Sequence, residues 1–221
     1  IRAVSSYQWS ALYQQSPTDR EGGMFRREWF RIIDAAPAGL RRVRYWDLAA
    51  TEAKRGSDPD WTVGALLGER DGVYYVLDIQ RTRSTPAGVE ALVKQTAELD
   101  GRDVPVYMEQ EPGASGVNLI DHYARRVLQG YAFRGVKTSG SKETRAQPWS
   151  AAAEAGNVVL IRGPWLKDLL EEHDAFPRGQ HDDIVDACAG AHAELSLRSR
   201  MSLTNIALDP DAGRRESPWR V

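Results

Sequence analysis

From Arg41 onward the chain alternates. Val43, Tyr45 and Asp47 fall on one side of an extended segment, and Arg42, Arg44 and Trp46 fall on the other. A period of two predicts a strand, with Asp47 on the side that carries two large apolar residues. A carboxylate there costs free energy unless it is paired, hydrogen-bonded or bound to a metal. Two β-type runs follow, Trp61–Gly68 and Val73–Arg81, joined through Asp71-Gly72, a dipeptide that favours a tight hairpin. Three consecutive antiparallel strands therefore open the folded region. Thr85-Pro86 then supplies an N-cap and a proline at the first helical position, and Val89, Leu92, Val93 and Leu99 carry the helical period to Asp100-Gly101. Val104–Gln110 reads as a buried strand, with Pro105 tolerated at its beginning, and a helix over 115–128 follows Pro112-Gly113. Beyond it the pattern predicts a short strand at Tyr131–Val136, a polar loop at 137–145 and a helix at 147–155. A last apolar strand at Val158–Ile161, a short helix over 164–172 and a final helix running to about Arg198 complete the series.

The final helix starts in an unusual stretch, Gln180-His181-Asp182-Asp183-Ile184-Val185-Asp186-Ala187, with three carboxylates in five residues. Asp182 at a helix start can accept from free backbone N–H groups, and the helix dipole favours negative charge there. At about 100° per residue, Asp182 and Asp186 lie about 40° apart and Asp183 about 60° beyond Asp186. The apolar stripe of Ile184, Ala187, Cys188, Ala191 and Leu195 is centred on another side, with Asp183 at its border. Taken alone, such a cluster is a solvated cap. Two acids at strand ends elsewhere change the picture. Asp47 is one, and Glu109 is the other, with Glu111 taking its place if that strand runs longer. In open α/β sheets, ligands bind at the edge where strands end and helix-bearing loops begin.

A chain of 221 residues can bury one substantial core with appendages. No apolar run is long enough to cross a bilayer, and the N-terminus lacks the basic-then-apolar pattern of a signal peptide. The absence of an initiator Met suggests a fragment. Cys188, the single cysteine, lies on the apolar face of the last helix, which excludes an internal disulfide. A net charge of −2 does not advertise a nucleic-acid binder. Even so, a nuclease needs acids in its site and bases around it. Arg41, Arg42 and Arg44 precede Asp47, and Lys137, Lys142 and Arg145 cluster later, so these groups are candidates for phosphate contact. P-loop, zinc and Gly-x-Ser-x-Gly motifs do not occur. Residues 1–40, punctuated by Ser16-Pro17, Gly22-Gly23 and Ala36-Pro37-Ala38-Gly39, read as a linker or the tail of a preceding domain. Residues 199–221 read as a flexible tail.

The element order predicts an α/β fold with a mixed central sheet. Asp47, Glu109 and the Asp182–Asp186 group can then converge on one sheet edge. One remedy for their repulsion is a pair of hard divalent cations, for which oxygen ligands suit Mg²⁺ or Mn²⁺. Two such ions about 4 Å apart support phosphodiester hydrolysis.

The stretches Arg44-Tyr45-Trp46-Asp47-Leu48-Ala49, Tyr107-Met108-Glu109-Gln110-Glu111-Pro112-Gly113 and Phe176-Pro177-Arg178-Gly179-Gln180 through Ala187 resemble the C-terminal nuclease domain of the tailed-phage terminase large subunit. The resemblance covers about residues 5–198. It implies an RNase H-like fold over 41–198, related to Holliday-junction resolvases, with a mixed five-stranded sheet of three antiparallel strands then parallel ones, flanked by helices. It implies a Mg²⁺- or Mn²⁺-dependent endonuclease that cuts concatemeric double-stranded DNA during packaging, in the host cell cytoplasm and away from membranes. Its partners would be its own N-terminal ATPase domain, the portal and the small terminase subunit. The linker motifs Tyr13-Gln14-Gln15-Ser16-Pro17 and Gly22-Gly23-Met24-Phe25 look like the join to that ATPase domain, whose motor this chain lacks. Carried over by position, Asp47, Glu109 and Asp183 are catalytic metal ligands, with Asp182 or Asp186 assisting. Lys142, Arg145 and Arg44 are DNA contacts, and His181 either approaches the site or is a capping or surface residue. A junction resolvase, a strand transferase, or a docking module for portal or small terminase with purely structural acids are the competing readings.

Overall fold

The computed structural model describes residues 23–49 and 60–207. Its sheet comprises β1 (Arg31–Ile33), β2 (Arg41–Asp47), β3 (Thr62–Arg70), β4 (Val73–Thr82), β5 (Val106–Gln110), β6 (Phe133–Lys137) and β7 (Val158–Ile161). The spatial order is β1-β7-β4-β3-β2-β5-β6. The helices are α1 (Pro86–Asp100), α2 (Ala114–His122), α3 (Lys142–Glu154), α4 (Leu166–Ala175) and α5 (Asp183–Ala207), with a π-helical turn at Tyr123–Val127 prolonging α2.

The predicted hairpin forms as expected. Asp71 and Gly72 both take positive φ, 55° and 80°, the geometry that lets a two-residue turn match the strand twist. β2 runs antiparallel to β3 and parallel to β5, and β5 runs parallel to β6. These strands with β4 are the expected three antiparallel and two parallel strands. The sheet nevertheless has seven strands, not five: β7 pairs parallel with β4, and β1 pairs parallel with β7.

β2 is covered on both faces from Val43 to Trp46, so the charge of Arg44 there is costly unless it is paired. Val43 and Tyr45 enter a core shared with α3, α4 and α5, whereas Trp46 enters a second core with Val93 and Ala97 of α1, Met108 and Tyr123. Two glycines permit the close approach. A Cβ at Gly190 of α5 would lie 2.4 Å from the Tyr45 ring, and one at Gly64 of β3 would lie 2.7 Å from the Trp46 ring. Helices thus sandwich the sheet, and the strand bearing Asp47 is fixed by packing along most of its length.

Part of the expected linker belongs to the folded unit. Met24, Phe25 and Phe30 lie in the larger core, the Met24 N–H donates to the Phe176 carbonyl at 2.9 Å, and β1 joins the sheet. These apolar residues are too few to show a period, so their burial is decided by residues far along the chain. Residues 1–22, the polar loop 51–59 and the tail beyond 207 lie outside the described residues. Helix α5 continues to Ala207, past the expected end near Arg198. Helix α3 begins at Lys142 rather than Gln147, because the Ser141 hydroxyl caps it by accepting from the Thr144 N–H at 3.3 Å. Lys142 and Arg145, expected in a loop, therefore sit one helical turn apart on a common side.

Candidate metal and nucleic-acid site

Strand directions bring the acids to one rim. The parallel register Trp46↔Met108 carries the chain ends so that Asp47 and Glu109 leave the sheet side by side. β3 runs the other way and pairs Val63 with Asp47, so Asp60 and Trp61, just before β3, reach the same rim. The N-terminus of α5 joins them there, for the Asp183 carboxylate accepts from the Trp61 backbone N–H at 3.1 Å.

The start of α5 is held by an unforeseen group. Glu172 of α4, buried, accepts from the backbone N–H groups of Ile184 and, at 3.2 Å, Val185. It thereby supplies the cap expected of Asp182 and fixes the orientation of the first turn, which carries Asp183 and Asp186. Burial pushes the Glu172 carboxyl up to about 7, against the two N–H donors that favour its charged form. The Asp182 carboxylate turns instead to Lys142.

Two cations from α3 lie among the acids. One Arg145 nitrogen donates to both Glu109 oxygens at 3.0 Å, and another approaches Asp186 at 3.2 Å. Lys142 spans Asp182 and Asp186, the latter at 3.2 Å, and the Thr138 hydroxyl donates to Glu109 at 2.7 Å. Desolvation raises the Asp47 carboxyl well above the usual carboxylate range, helped by the charges of Glu109, Asp186 and Asp183 and opposed by Lys142. Burial likewise raises Asp183 and Asp186. Burial disfavours the charge of Lys142, but its bond to Asp182 and the charge of Asp186 outweigh that and hold the ammonium above its ordinary value. The cluster is thus a negatively charged, oxygen-lined rim that attracts positive charge, which is the donor chemistry hard divalent ions require.

The expected residues fare unequally. Asp47, Glu109, Asp183, Asp182, Asp186, Lys142 and Arg145 come together. Glu111 lies past the end of β5 and is exposed, so Glu109 is the acid that enters the cluster. Arg44 does not belong here, and its reading as a DNA contact is corrected. Its position in the β2 alternation turns it away from Asp47, and it is 1% exposed. Its guanidinium bonds both oxygens of Asp100 at 2.7 and 2.8 Å, Asp78 at 2.9 Å and the Gly64 carbonyl at 2.9 Å.

Two further residues belong to the site beyond those the sequence singled out as ligands. Among the described residues, Asp60, His181 and Asp183 form a group whose ligand atoms lie within 4.8 Å of one another, whereas Asp47 and Glu109 stand outside it with Arg145 bridging Glu109 to Asp186. Asp60 carries a signal in the sequence: an acid directly before a strand antiparallel to β2 must lie at the rim where β2 ends. His181 packs against the site rather than simply flanking the helix, with one ring nitrogen 3.9 Å from Asp183 and the other 3.2 Å from Arg83.

The terminase RNase H-like domain family matches residues 44–195, which include Asp47, the strand of Glu109 and the first half of α5. The chain belongs to that family. Among solved structures, the large terminase nuclease of thermophilic phage G20c is 17% identical with a TM-score of 0.57, over 78% of this chain and 98% of that one. A form of the same phage nuclease with bound magnesium gives 19% identity and a TM-score of 0.53 over 78% of this chain and 97% of that one. The human cytomegalovirus terminase nuclease domain, soaked in manganese with an inhibitor bound, is 13% identical with a TM-score of 0.57, over 77% and 94% of the two chains. At these identities the likeness is one of fold. No curated protein matches the chain. This terminase domain has, among its described residues, no helix long and apolar enough to cross a membrane.

Proposed function

We propose that the chain is the metal-dependent endonuclease domain of a viral large terminase, hydrolysing phosphodiesters of concatemeric double-stranded DNA with two divalent cations. The observation that carries the reading is the meeting of Asp47, Glu109 and the start of α5 at one rim, where Lys142 and Arg145 neutralise the carboxylates. Family membership and magnesium or manganese in the phage and cytomegalovirus neighbours support it.

Asp47 and Glu109 would hold one cation and Asp183 with Asp186 or Asp182 the other, with Asp60 and His181 adding ligands beside Asp183. When bound, Mg²⁺ or Mn²⁺ would activate the attacking water and stabilise the leaving oxygen. The chain's own residues do the positioning. Glu172 and the Trp61 N–H fix the direction of Asp183, and packing of Tyr45 against Gly190 fixes Asp47. Lys142 and Arg145 would exchange their carboxylate partners for phosphate oxygens as cations take the acids. In the virus the domain would follow an N-terminal ATPase domain, meet the portal and the small terminase subunit, and act in the host cytoplasm. Plasmid nicking in Mn²⁺ tests the proposal. Asp47→Ala should lower the rate by roughly a thousandfold, corresponding to about 4 kcal/mol of lost transition-state stabilisation. Retained cutting would refute the site assignment and favour a docking module with structural acids.

A further inference from the structure

A second basic feature lies on the opposite side of the acids from Lys142 and Arg145. Arg81, near the end of β4, and Arg83, just past it, are one strand repeat apart, about 7 Å. The Trp61 ring lies between them. Their guanidinium carbons are 3.9 and 4.0 Å from its centroid, so two positive charges are stacked against one aromatic side chain. Arg81 also pairs with Asp168 at 3.1 Å, and Arg83 meets the His181 ring at 3.2 Å.

This arrangement holds like charges close together beside the rim instead of letting them swing apart into solvent. A guanidinium stacked on a ring has a fixed plane, and its N–H edge matches the geometry of a phosphate. The tryptophan that fixes both arginines also donates its backbone N–H to Asp183. A phosphate held there would thus be registered against the acid cluster through a single residue. The sheet order puts β3 and β2 between β4 and β5. β4, which leads into Arg83, and β5, whose Glu109 pairs with Arg145, are therefore three strand spacings apart, about 14 Å.

We propose that Arg81 and Arg83, clamped on Trp61, form the second phosphate-binding wall of a double-stranded DNA path whose first wall is Lys142 and Arg145. This rests on the nuclease reading above, and the path crosses the acids between the walls.

The test is the salt dependence of binding of a labelled DNA duplex in Mg²⁺ by the chain carrying Asp47→Asn, which leaves the substrate uncut. Arg81→Gln with Arg83→Gln should reduce the slope of log K against log salt by about 1.8, or about 0.9 for each phosphate no longer neutralised. Lysine at both positions should restore the slope, because a point charge still displaces counterions. Should the double glutamine variant melt below the assay temperature, Arg83→Gln alone carries the test, with an expected reduction of about 0.9. An unchanged slope would overturn the proposal. So would an equal drop from Arg70→Gln, whose side chain lies at the other end of β3 beside the hairpin. Mn²⁺-dependent nicking by the chain with Asp47 intact is measured in parallel. Its absence overturns the nuclease reading, whereas nicking with an unchanged slope overturns this inference alone.

Discussion

Replacing Arg44 with leucine removes the cation that faces Asp100, a carboxylate whose side chain is 7% exposed. The pair is bidentate, at 2.7 and 2.8 Å, and Asp78 adds a third bond from a side chain that is 31% exposed and can turn to water. Asp100 has no such escape, so its charge stays buried without a partner. Breaking a buried pair in this way costs about 3–5 kcal/mol. For a domain of this size each kcal/mol lowers the melting temperature by about 2–4 °C, so Arg44→Leu should melt roughly 6–20 °C early. Removing both charges, with Arg44→Leu and Asp100→Leu together, should recover most of that loss, because the desolvation of both ions disappears with the attraction. Thermal and urea unfolding of the two variants measure the effect. The salt slope of DNA binding, taken where Arg44→Leu is still folded, should not change. A loss under about 1 kcal/mol, or a slope reduced by about 0.9, would refute the reasoning by putting the Arg44 guanidinium on solvent or DNA rather than in the core.

Other perturbations separate the acids by role. The Asp47 carboxyl titrates above its unfolded value, so its stabilising contribution is complete below the unfolded pKa and declines as pH rises through the folded one. In EDTA, Asp47→Asn should therefore melt higher at neutral pH and show a flatter pH dependence, while gaining less from added Mn²⁺. Calorimetry across pH checks this, and a lower melting temperature at neutral pH would count against it. Glu172 follows the same sign, since burial raises it from 4.5 to about 7 and stability is lost as pH rises across that interval. Glu172→Gln should abolish that decline, whereas Glu172→Ala should cost about 2 kcal/mol at pH 5 by uncapping α5 and orphaning buried N–H groups. Equal unfolding curves for Glu172→Ala and the unaltered chain would show that the cap contributes nothing. Lys142→Met should lower the melting temperature without metal and enlarge the rise on adding Mn²⁺, because a cation then has less internal positive charge to displace. A smaller rise would mean that Lys142 assists the ions instead of standing in for them.

The parts of the fold legible in the sequence are those with a local cause. Asp71-Gly72 marks its hairpin, Thr85-Pro86 marks the start of α1, and the alternation from Val43 to Asp47 places an acid on a core-facing strand position. What escapes is decided by distant residues. β1 is a three-residue strand whose partner, β7, lies more than a hundred positions later, and no period can show in so short a run. Helix α3, expected from Gln147, starts at Lys142 behind the Ser141 cap, and its polar first turn carries no apolar period to mark it. The meeting of the acids follows from element order. Their charge partners do not, because whether Arg44 faces DNA or Asp100 depends on which face of β2 lies against α1. The alternation that separates Arg44 from Asp47 is the one local sign of its different role. The Glu172 cap has no sequence signal at all, since the helix it caps begins eleven residues later.

Anomalous scattering from a Mn²⁺-soaked crystal tests the central claim most directly. Ion peaks are expected among the carboxylates of Asp47, Glu109 and Asp183, with the Lys142 and Arg145 side chains moved off the acids they now neutralise. A fully soaked crystal with no manganese among those carboxylates, with Lys142 still on Asp182 and Asp186 and Arg145 still on Glu109 and Asp186, would contradict it.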